Sequence, residues 1–151
     1  MEPNLTDERA AAAGVQRVAS KEELLERSDF VTIHLVLAPT TRGIIGASEL
    51  HRMRPSAFLI NTSRAGLVDQ AALIQALEEN RIAGAALDVF DAEPLPAEHP
   101  FRYLPNVLAT PHLGYVSQDN YRTYFTEAVE DILAWLAGSP IRRLDRPSTG
   151  T

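Results

Sequence analysis

The chain has 151 residues, of which 45% are hydrophobic and 23% are charged, a composition typical of one globular domain with a hydrophobic core. Its net charge of −6 and isoelectric point near 5.2 argue against a nucleic-acid-binding surface. It has no cysteine, which excludes disulfides, a thiolate nucleophile and a Cys-ligated metal. No apolar run approaches the roughly 18 residues of a membrane span, and the N-terminus lacks a signal-peptide pattern. We therefore expect a cytoplasmic protein that binds neither nucleic acid nor membrane.

Helical and extended patterns alternate along most of the chain. The predicted helices cover residues 7–13, 21–28, 47–53, 70–79 and 119–137. The predicted strands cover residues 15–18, 30–36, 57–60, 81–90 and 106–110. The strand at 30–36 is β-branched and mostly apolar, so we expect both of its faces to be covered. Such alternation predicts βαβ units, and therefore an α/β protein with a parallel sheet.

Arg64 lies in the turn between the predicted strand at 57–60 and the helix at 70–79, for which Asp69 is the natural N-cap. Ligands of open α/β sheets bind at the carboxyl ends of the strands. Two interpretations of this arginine remain open from its position. It either binds a phosphate or carboxylate, or it is a surface arginine with a local partner.

Three more polar residues follow predicted strands: Asp88, Glu93 and His112. Each has a simpler alternative, since Asp88 could cap a turn, Glu93 could be solvated in an acidic loop, and His112 could be an ordinary turn histidine. Parallel strands bring their carboxyl ends to one edge, where these groups and Arg64 could converge. Together, an arginine, a carboxylate and a histidine can bind a carboxylate and move a proton.

Four sequence blocks carry a resemblance to a known family. They are SDFVTIH at 28–34, LINTSRAGLVD at 59–69, GAALDVFDAEP at 84–94 and NVLATPHLGY at 106–115. With these blocks in order, residues 2–145 resemble the nucleotide-binding domain of the NAD-dependent D-2-hydroxyacid dehydrogenases, which include phosphoglycerate, glycerate and formate dehydrogenases. The resemblance implies a Rossmann-like fold, NAD as the cofactor and a 2-hydroxy or 2-oxo acid as the substrate.

The resemblance also implies a role for each candidate residue. Arg64 would bind the carboxylate and carbonyl of the acid, and His112 would be the general acid/base. Glu93 would hydrogen-bond His112 and favour its imidazolium form. Asp88 would hold the nicotinamide carboxamide. The implied cofactor-binding residues are Glu2, Leu35, Thr40, Thr62, Ser63, Arg64, Asp88, His112 and Gly114.

The chain departs from the family pattern at several points. Ala65 stands where the family usually has glycine, Glu2 stands where aspartate is common, and no GxGxxG motif occurs. The expected fold is thus an incomplete Rossmann-like sheet that lacks the first strand and the Gly-rich turn. We expect residues 1–145 to form a partial NAD-binding domain and residues 146–151 a C-terminal tail. A truncated gene product, a mis-assigned start and a deliberate fragment are all compatible with this pattern.

The predicted function is that of a fragment of an oxidoreductase that transfers a hydride between NAD(H) and a 2-hydroxy acid. A non-catalytic NAD-sensing protein, like the family's transcriptional corepressor branch, and an inert remnant are the alternatives. The missing strand would leave the strand at 30–36 as an apolar edge, which invites pairing with another chain. Together with the family resemblance, this predicts a homodimer.

Overall fold

The structure is a computed structural model that describes residues 5–144. The predicted cofactor residue Glu2 and the predicted tail at 146–151 lie outside the described residues. The chain divides into two compact units, of which the first ends at Gly114 and the second begins at Tyr115. No helix within residues 5–144 has the length and apolar character needed to cross a bilayer.

The first unit contains a parallel four-stranded sheet, which confirms the predicted α/β class. Its strands are β1 (Phe30–Ile33), β2 (Phe58–Asn61), β3 (Gly84–Leu87) and β4 (Val107–Ala109), and they lie in the order β1-β2-β3-β4. Its helices are α1 (Asp7–Ala12), α2 (Lys21–Arg27), α3 (Ala47–Arg52) and α4 (Gln70–Glu78). Short 3₁₀ helices at Ala65–Leu67 and Pro100–Arg102 interrupt two of the loops.

One face of the sheet carries the hydrophobic core. Val31 and Leu59 point to this face, where they join buried leucines of α3 and α4 such as Leu50 and Leu73. Burial of each such side chain stabilises the fold by about 1.5–3 kcal/mol. The opposite face of β1 is open, because Phe30 is 66% exposed. Our prediction that this strand is covered on both faces is therefore wrong, since an apolar sequence alone does not show which face another element covers.

The strand predicted at 15–18 is absent. The N–H of Val15 donates to Ala10 O at 3.0 Å, so it completes the C-terminal turn of α1. Gly14 adopts φ +66° there and ends the helix as predicted. β1 is the outermost strand of the sheet, and residues 15–18 form no ladder with it. A strand requires a partner for its backbone groups, and a short β-branched sequence does not supply one.

Three of the remaining strands are shorter than predicted, and β2 keeps its predicted length but is shifted by one residue to Phe58–Asn61. The strand predicted at 30–36 stops at Ile33, and the strand predicted at 81–90 is limited to Gly84–Leu87. Gly84 is required at the start of β3, because a Cβ atom there would lie 2.5 Å from Asn106 O. The predicted caps are present, since Ser20 Oγ accepts from Glu23 N at 3.1 Å and Asp69 Oδ1 accepts from Ala72 N at 3.0 Å.

The second unit consists mainly of the long helix α5 (Gln118–Leu136). Ser117 caps it by accepting a hydrogen bond from Asn120 N at 3.2 Å. Arg142 folds back to form ion pairs with Glu130 and Asp131 at 2.5 and 2.8 Å. These pairs are solvent-exposed, so they contribute little to the stability of the fold.

Candidate active site

The strands of the sheet end level with one another. The register pairs Ile33 with Asn61, Asn61 with Leu87, and Leu87 with Ala109. Neighbouring strands lie about 4.8 Å apart, so the residues that follow them share one edge of the sheet. This carboxyl edge is the position where open α/β sheets bind their ligands.

Asn61 holds the turn that carries Arg64. Its side chain is buried, where Oδ1 accepts from Ser63 N at 3.1 Å and Nδ2 donates to Arg64 O at 3.0 Å. Ser63 Oγ adds a bond of 2.8 Å to Ile33 O of the neighbouring strand. The backbone of the turn is thereby fixed in a conformation that an asparagine at a strand end favours. Sequence reasoning gave Asn61 no role, although an asparagine two residues before the turn is the signal that could have found it.

The side chain of Arg64 is exposed. Its Nη1 donates to Ser63 O at 2.6 Å, which is the local partner that one interpretation expected. A guanidinium has five N–H donors, so this single contact leaves most of them available to a ligand. Both interpretations are therefore compatible with the contacts of this arginine.

A cavity of about 550 Å³ lies beside this turn. Of the predicted cofactor residues, Leu35, Thr62, Ser63 and Arg64 line it. Thr40 does not line it and lies exposed in the turn at 39–43. The structure thus brings four predicted residues together and leaves Thr40 apart from them.

Asp88 is buried and accepts hydrogen bonds at both oxygens. Thr110 Oγ1 and Leu113 N donate to Oδ1 at 2.5 and 2.8 Å, and Gly114 N donates to Oδ2 at 2.8 Å. Burial alone would raise the pKa of Asp88, but these hydrogen bonds outweigh it and hold the pKa below its usual value. Asp88 therefore caps the turn after β4, as its simpler interpretation expected.

The same contacts explain the choice of glycine at position 114. A Cβ atom on Gly114 would lie 3.0 Å from Asp88 Oδ2, closer than side chains normally pack. Thr110 was also missed by sequence reasoning, and its place directly after a strand was the available signal.

Glu93 and His112 form a hydrogen-bonded pair. Nδ1 of His112 lies 2.8 Å from Oε2 of Glu93, and because a carboxylate only accepts, Nδ1 carries the proton. Phe90 N donates to the other carboxylate oxygen at 2.9 Å. The bond to His112 first, and the bond from Phe90 second, lower the pKa of Glu93 from its usual value. Glu93 is therefore ionised and fixes the orientation of the imidazole ring.

The pair lines a second cavity, of about 480 Å³. Its walls include the apolar side chains of Phe90, Pro94 and Leu95. A cation, Arg102, also lines this cavity, and the sequence gave no signal for it because it lies in a Pro-rich loop without a motif. The described site thus has two parts, one around Arg64 and one around His112, along the same edge of the sheet.

Comparison with known proteins identifies the family of this chain. Residues 1–114 match the family model described as D-isomer specific 2-hydroxyacid dehydrogenase, NAD binding domain. A D-3-phosphoglycerate dehydrogenase from Methanocaldococcus jannaschii is 40% identical over 137 residues, which are 91% of this chain and 26% of that protein. The curated relatives that it matches are much longer, since the chain spans between 26% and 38% of the length of each.

Solved structures show the same fold. A phosphoglycerate oxidoreductase from Vibrio cholerae has a TM-score of 0.80 at 38% identity, over 88% of this chain and 44% of that one. The NAD-complexed D-isomer specific 2-hydroxyacid dehydrogenase from Lactobacillus delbrueckii has a TM-score of 0.80 at 28% identity, over 96% of this chain and 47% of that one. The predicted family and Rossmann-like fold are confirmed. The chain belongs to the D-isomer specific 2-hydroxyacid dehydrogenase family, through its NAD-binding domain.

Proposed function

We propose that this chain is the part of an NAD-dependent D-2-hydroxyacid dehydrogenase that binds a 2-hydroxy or 2-oxo acid and exchanges a proton with it. The observation that carries the proposal is the His112–Glu93 pair, 2.8 Å apart, at the carboxyl edge of a parallel sheet. Arg64 follows the neighbouring part of the same edge, where a guanidinium suits a planar carboxylate.

The pair supports a specific route for proton transfer. Glu93 accepts a hydrogen bond from the Nδ1–H of His112, so the ring exchanges its catalytic proton with the substrate through Nε2. In reduction, Nε2 donates to the carbonyl oxygen of the 2-oxo acid, and in oxidation it removes the proton of the hydroxyl group. Glu93 stabilises the imidazolium that forms. The nicotinamide, when bound, supplies or accepts the hydride.

Arg64 orients the acid. Its bond to Ser63 O uses Nη1 and restrains the side chain at the edge of the sheet. The remaining donors of the fork bind the substrate carboxylate and polarise its carbonyl oxygen, which makes the carbon a better hydride acceptor. Asn61 supports this role indirectly, because it fixes the backbone from which the arginine projects.

The residues fit the nicotinamide end of the cofactor. The cavity beside Thr62 and Ser63 falls in the range of about 300–1,000 Å³ that is usual for ligand sites. Three of the roughly four lone-pair sites of the Asp88 carboxylate are already used, so at most one remains for the amide N–H of the nicotinamide. The sequence has no GxGxxG turn for the pyrophosphate. We expect residues 1–151 alone to bind NAD weakly and not to turn over.

A hydride-transfer assay on the longest in-frame product of the gene tests the proposal. NADH and NADPH are supplied with glyoxylate or hydroxypyruvate, and His112→Gln serves as the matched variant. We expect oxidation of the nicotinamide that the variant loses. Cofactor binding without turnover would instead indicate the NAD-sensing alternative. If neither cofactor raises the unfolding temperature, the chain is an inert remnant, because a ligand bound only by the folded state must stabilise it.

Self-association is a further part of the proposal. β1 lies at an edge of the sheet, and its Phe30 stacks on Phe58 with ring centroids 5.6 Å apart. Leu108 is exposed on β4. Exposed apolar side chains on the two outermost strands support pairing with a second copy. We expect a homodimer by light scattering at micromolar concentration, and a monomer with a sharp melt would contradict it. The cytoplasmic location stays a prediction.

A further inference from the structure

The cavity at the Glu93–His112 pair contains a cation that the proposed reaction does not use. Arg102 ends the 3₁₀ helix Pro100–Arg102 and lines the same cavity as the pair. Apolar side chains, Pro94 and Leu95 among them, line the same cavity. A site with an acid/base at one point, an apolar wall and a separate cation suits a ligand with two polar ends.

The guanidinium of Arg102 is held in place by backbone carbonyls. Nε donates to Pro96 O at 2.9 Å and to Leu95 O at 3.2 Å, and Nη2 donates to Leu95 O at 2.6 Å. These bonds occupy the side of the guanidinium formed by Nε and Nη2. The opposite fork, formed by Nη1 and the second N–H of Nη2, donates to no acceptor within residues 5–144.

The backbone segment that carries Arg102 is also fixed. Phe101 is buried and tilts against Phe90 with ring centroids 6.3 Å apart. His99 caps the 3₁₀ helix, because its Nδ1 accepts from Phe101 N at 3.2 Å. A side chain restrained before binding loses little conformational entropy when a ligand arrives, so it contributes more to affinity.

Arg102 differs in its charge partners from many other arginines of the chain. Arg27, Arg52 and Arg54 each form an ion pair with a carboxylate within 4 Å. Arg102 forms none with any acidic side chain in the described part of the chain, although the chain as a whole is acidic. An arginine fork without a carboxylate partner, at a cavity wall, favours a carboxylate or phosphate and can bind it through two parallel hydrogen bonds.

We infer that Arg102 determines substrate specificity by binding a second anionic group, distal to the reacting carbon of a 2-oxo acid. The inference rests on the proposed function, which places the reacting carbon at His112. The substrate class is then a 2-oxo acid that carries a distal carboxylate or phosphate. A short apolar spacer of such an acid would lie against Pro94 and Leu95, while the distal anion meets the open fork.

Binding to the whole chain tests this inference without turnover. Calorimetric titrations would compare pyruvate, which has no distal anion, with 2-oxoglutarate and 3-phosphonooxypyruvate, which carry a carboxylate and a phosphate. We expect at least one of the two acids that carry a distal anion to bind about tenfold or more tightly than pyruvate. A preference for only one of them identifies the anion as carboxylate or phosphate.

Arg102→Gln is the informative variant, because glutamine keeps an N–H for Leu95 O but has no charge and no fork. This variant should abolish the preference for acids with a distal anion and leave the affinity for pyruvate within about twofold of wild type. Arg102→Lys should restore part of it. Arg122→Gln, which alters an exposed arginine of α5 paired with Asp119, should leave the preference unchanged. If Arg102→Gln unfolds, added salt gives an independent test, since it should weaken binding of the acid with a distal anion more than binding of pyruvate.

The outcomes separate this inference from the proposed function. An equal preference in wild type and Arg102→Gln, with pyruvate binding still lost in Arg64→Ala, would overturn the role of Arg102 alone. A preference that salt does not reduce would overturn it as well. If the folded chain binds none of the three acids, the proposed function fails and this inference fails with it.

Discussion

The two parts of the candidate site are organised in opposite ways. Around His112, side chains hold one another: Glu93 binds the imidazole, and Asp88 accepts from Thr110 and from two backbone N–H groups. Around Arg64, a buried asparagine holds the backbone, and the arginine side chain itself has one contact. The proton-transfer group is therefore oriented by a side-chain partner, whereas the anion-binding group has one backbone contact and projects from a turn that Asn61 fixes.

The difference follows from what each step needs. Proton transfer depends on which nitrogen carries the proton and on its direction, so a carboxylate partner that fixes the ring is useful. An arginine that binds a carboxylate can adjust its long side chain when the ligand binds, provided that the position of its Cα is fixed. Mutations around His112 should consequently lower the rate of proton transfer. Mutations around Arg64 should instead weaken substrate binding or destabilise the turn.

The largest effect is expected for His112→Gln in the longest in-frame product of the gene. Glutamine can still hydrogen-bond Glu93 but cannot exchange a proton, so turnover should fall by about 10²–10⁴. Steady-state hydride transfer from NADH measures it. Thr110→Ser keeps the hydroxyl that binds Asp88 and is the matched control, with turnover close to wild type. Turnover in His112→Gln within threefold of that control would remove the acid/base role.

Arg64→Ala should have the next largest effect. Charge-assisted hydrogen bonds contribute about 1.5–3 kcal/mol, so kcat/KM for the 2-oxo acid should fall by about 10- to 150-fold. The dissociation constant of NADH should stay nearly unchanged, as should the free energy of unfolding, because the side chain is exposed. A loss of NADH binding with intact substrate binding would show that Arg64 binds the cofactor and not the substrate.

The fold around the site was predictable where the signals are local. The apolar run before Asn61 and the N-cap Asp69 predicted the strand–turn–helix that carries Arg64. Strand length was not predictable in this way, since the strand at 30–36 ends at Ile33, where its ladder ends. Residues 15–18 have strand-forming side chains but no partner strand, so the strand predicted there does not form.

The site itself was predictable only in part. Glu93 and His112 are 19 residues apart, and no local pattern predicts that their side chains meet. The family resemblance supplied that pairing, and their catalytic roles stay predictions. Arg102 carries no motif, and its significance depends on two carbonyls, at 95 and 96, that only the folded loop brings to it.

Asn61→Ala should show that the Arg64 turn depends on a buried side chain. It leaves Ser63 N and Arg64 O without their partner, so the free energy of unfolding should fall by about 2 kcal/mol or more. Ser63→Ala loses only the bond to Ile33 O and should cost about 1 kcal/mol. Urea denaturation measures both. Equal losses in the two variants would mean that Asn61 does not hold the turn.

The smallest expected effect is a difference in acid sensitivity between the two parts. The pKa values of Asp88 and Glu93 are both lowered in the folded protein, so their stabilisation is complete above the ordinary carboxyl pKa. It is lost as the pH falls through the lowered values. The Ser63 N–H, by contrast, is bonded to the uncharged amide of Asn61 and has no carboxylate to lose.

Amide chemical shifts would resolve this difference residue by residue. The N–H of Phe90 should titrate with Glu93, and the N–H of Gly114 with Asp88, each with a midpoint below the ordinary value of 4.5 or 3.8 for its carboxyl. The Ser63 N–H should stay unchanged over the same range. In Glu93→Gln the Phe90 titration should disappear while that of Gly114 remains. If the Ser63 N–H titrated together with Phe90, the two parts would respond to acid as one unit, and the contrast between a charge-held pair and an amide-held turn would not stand.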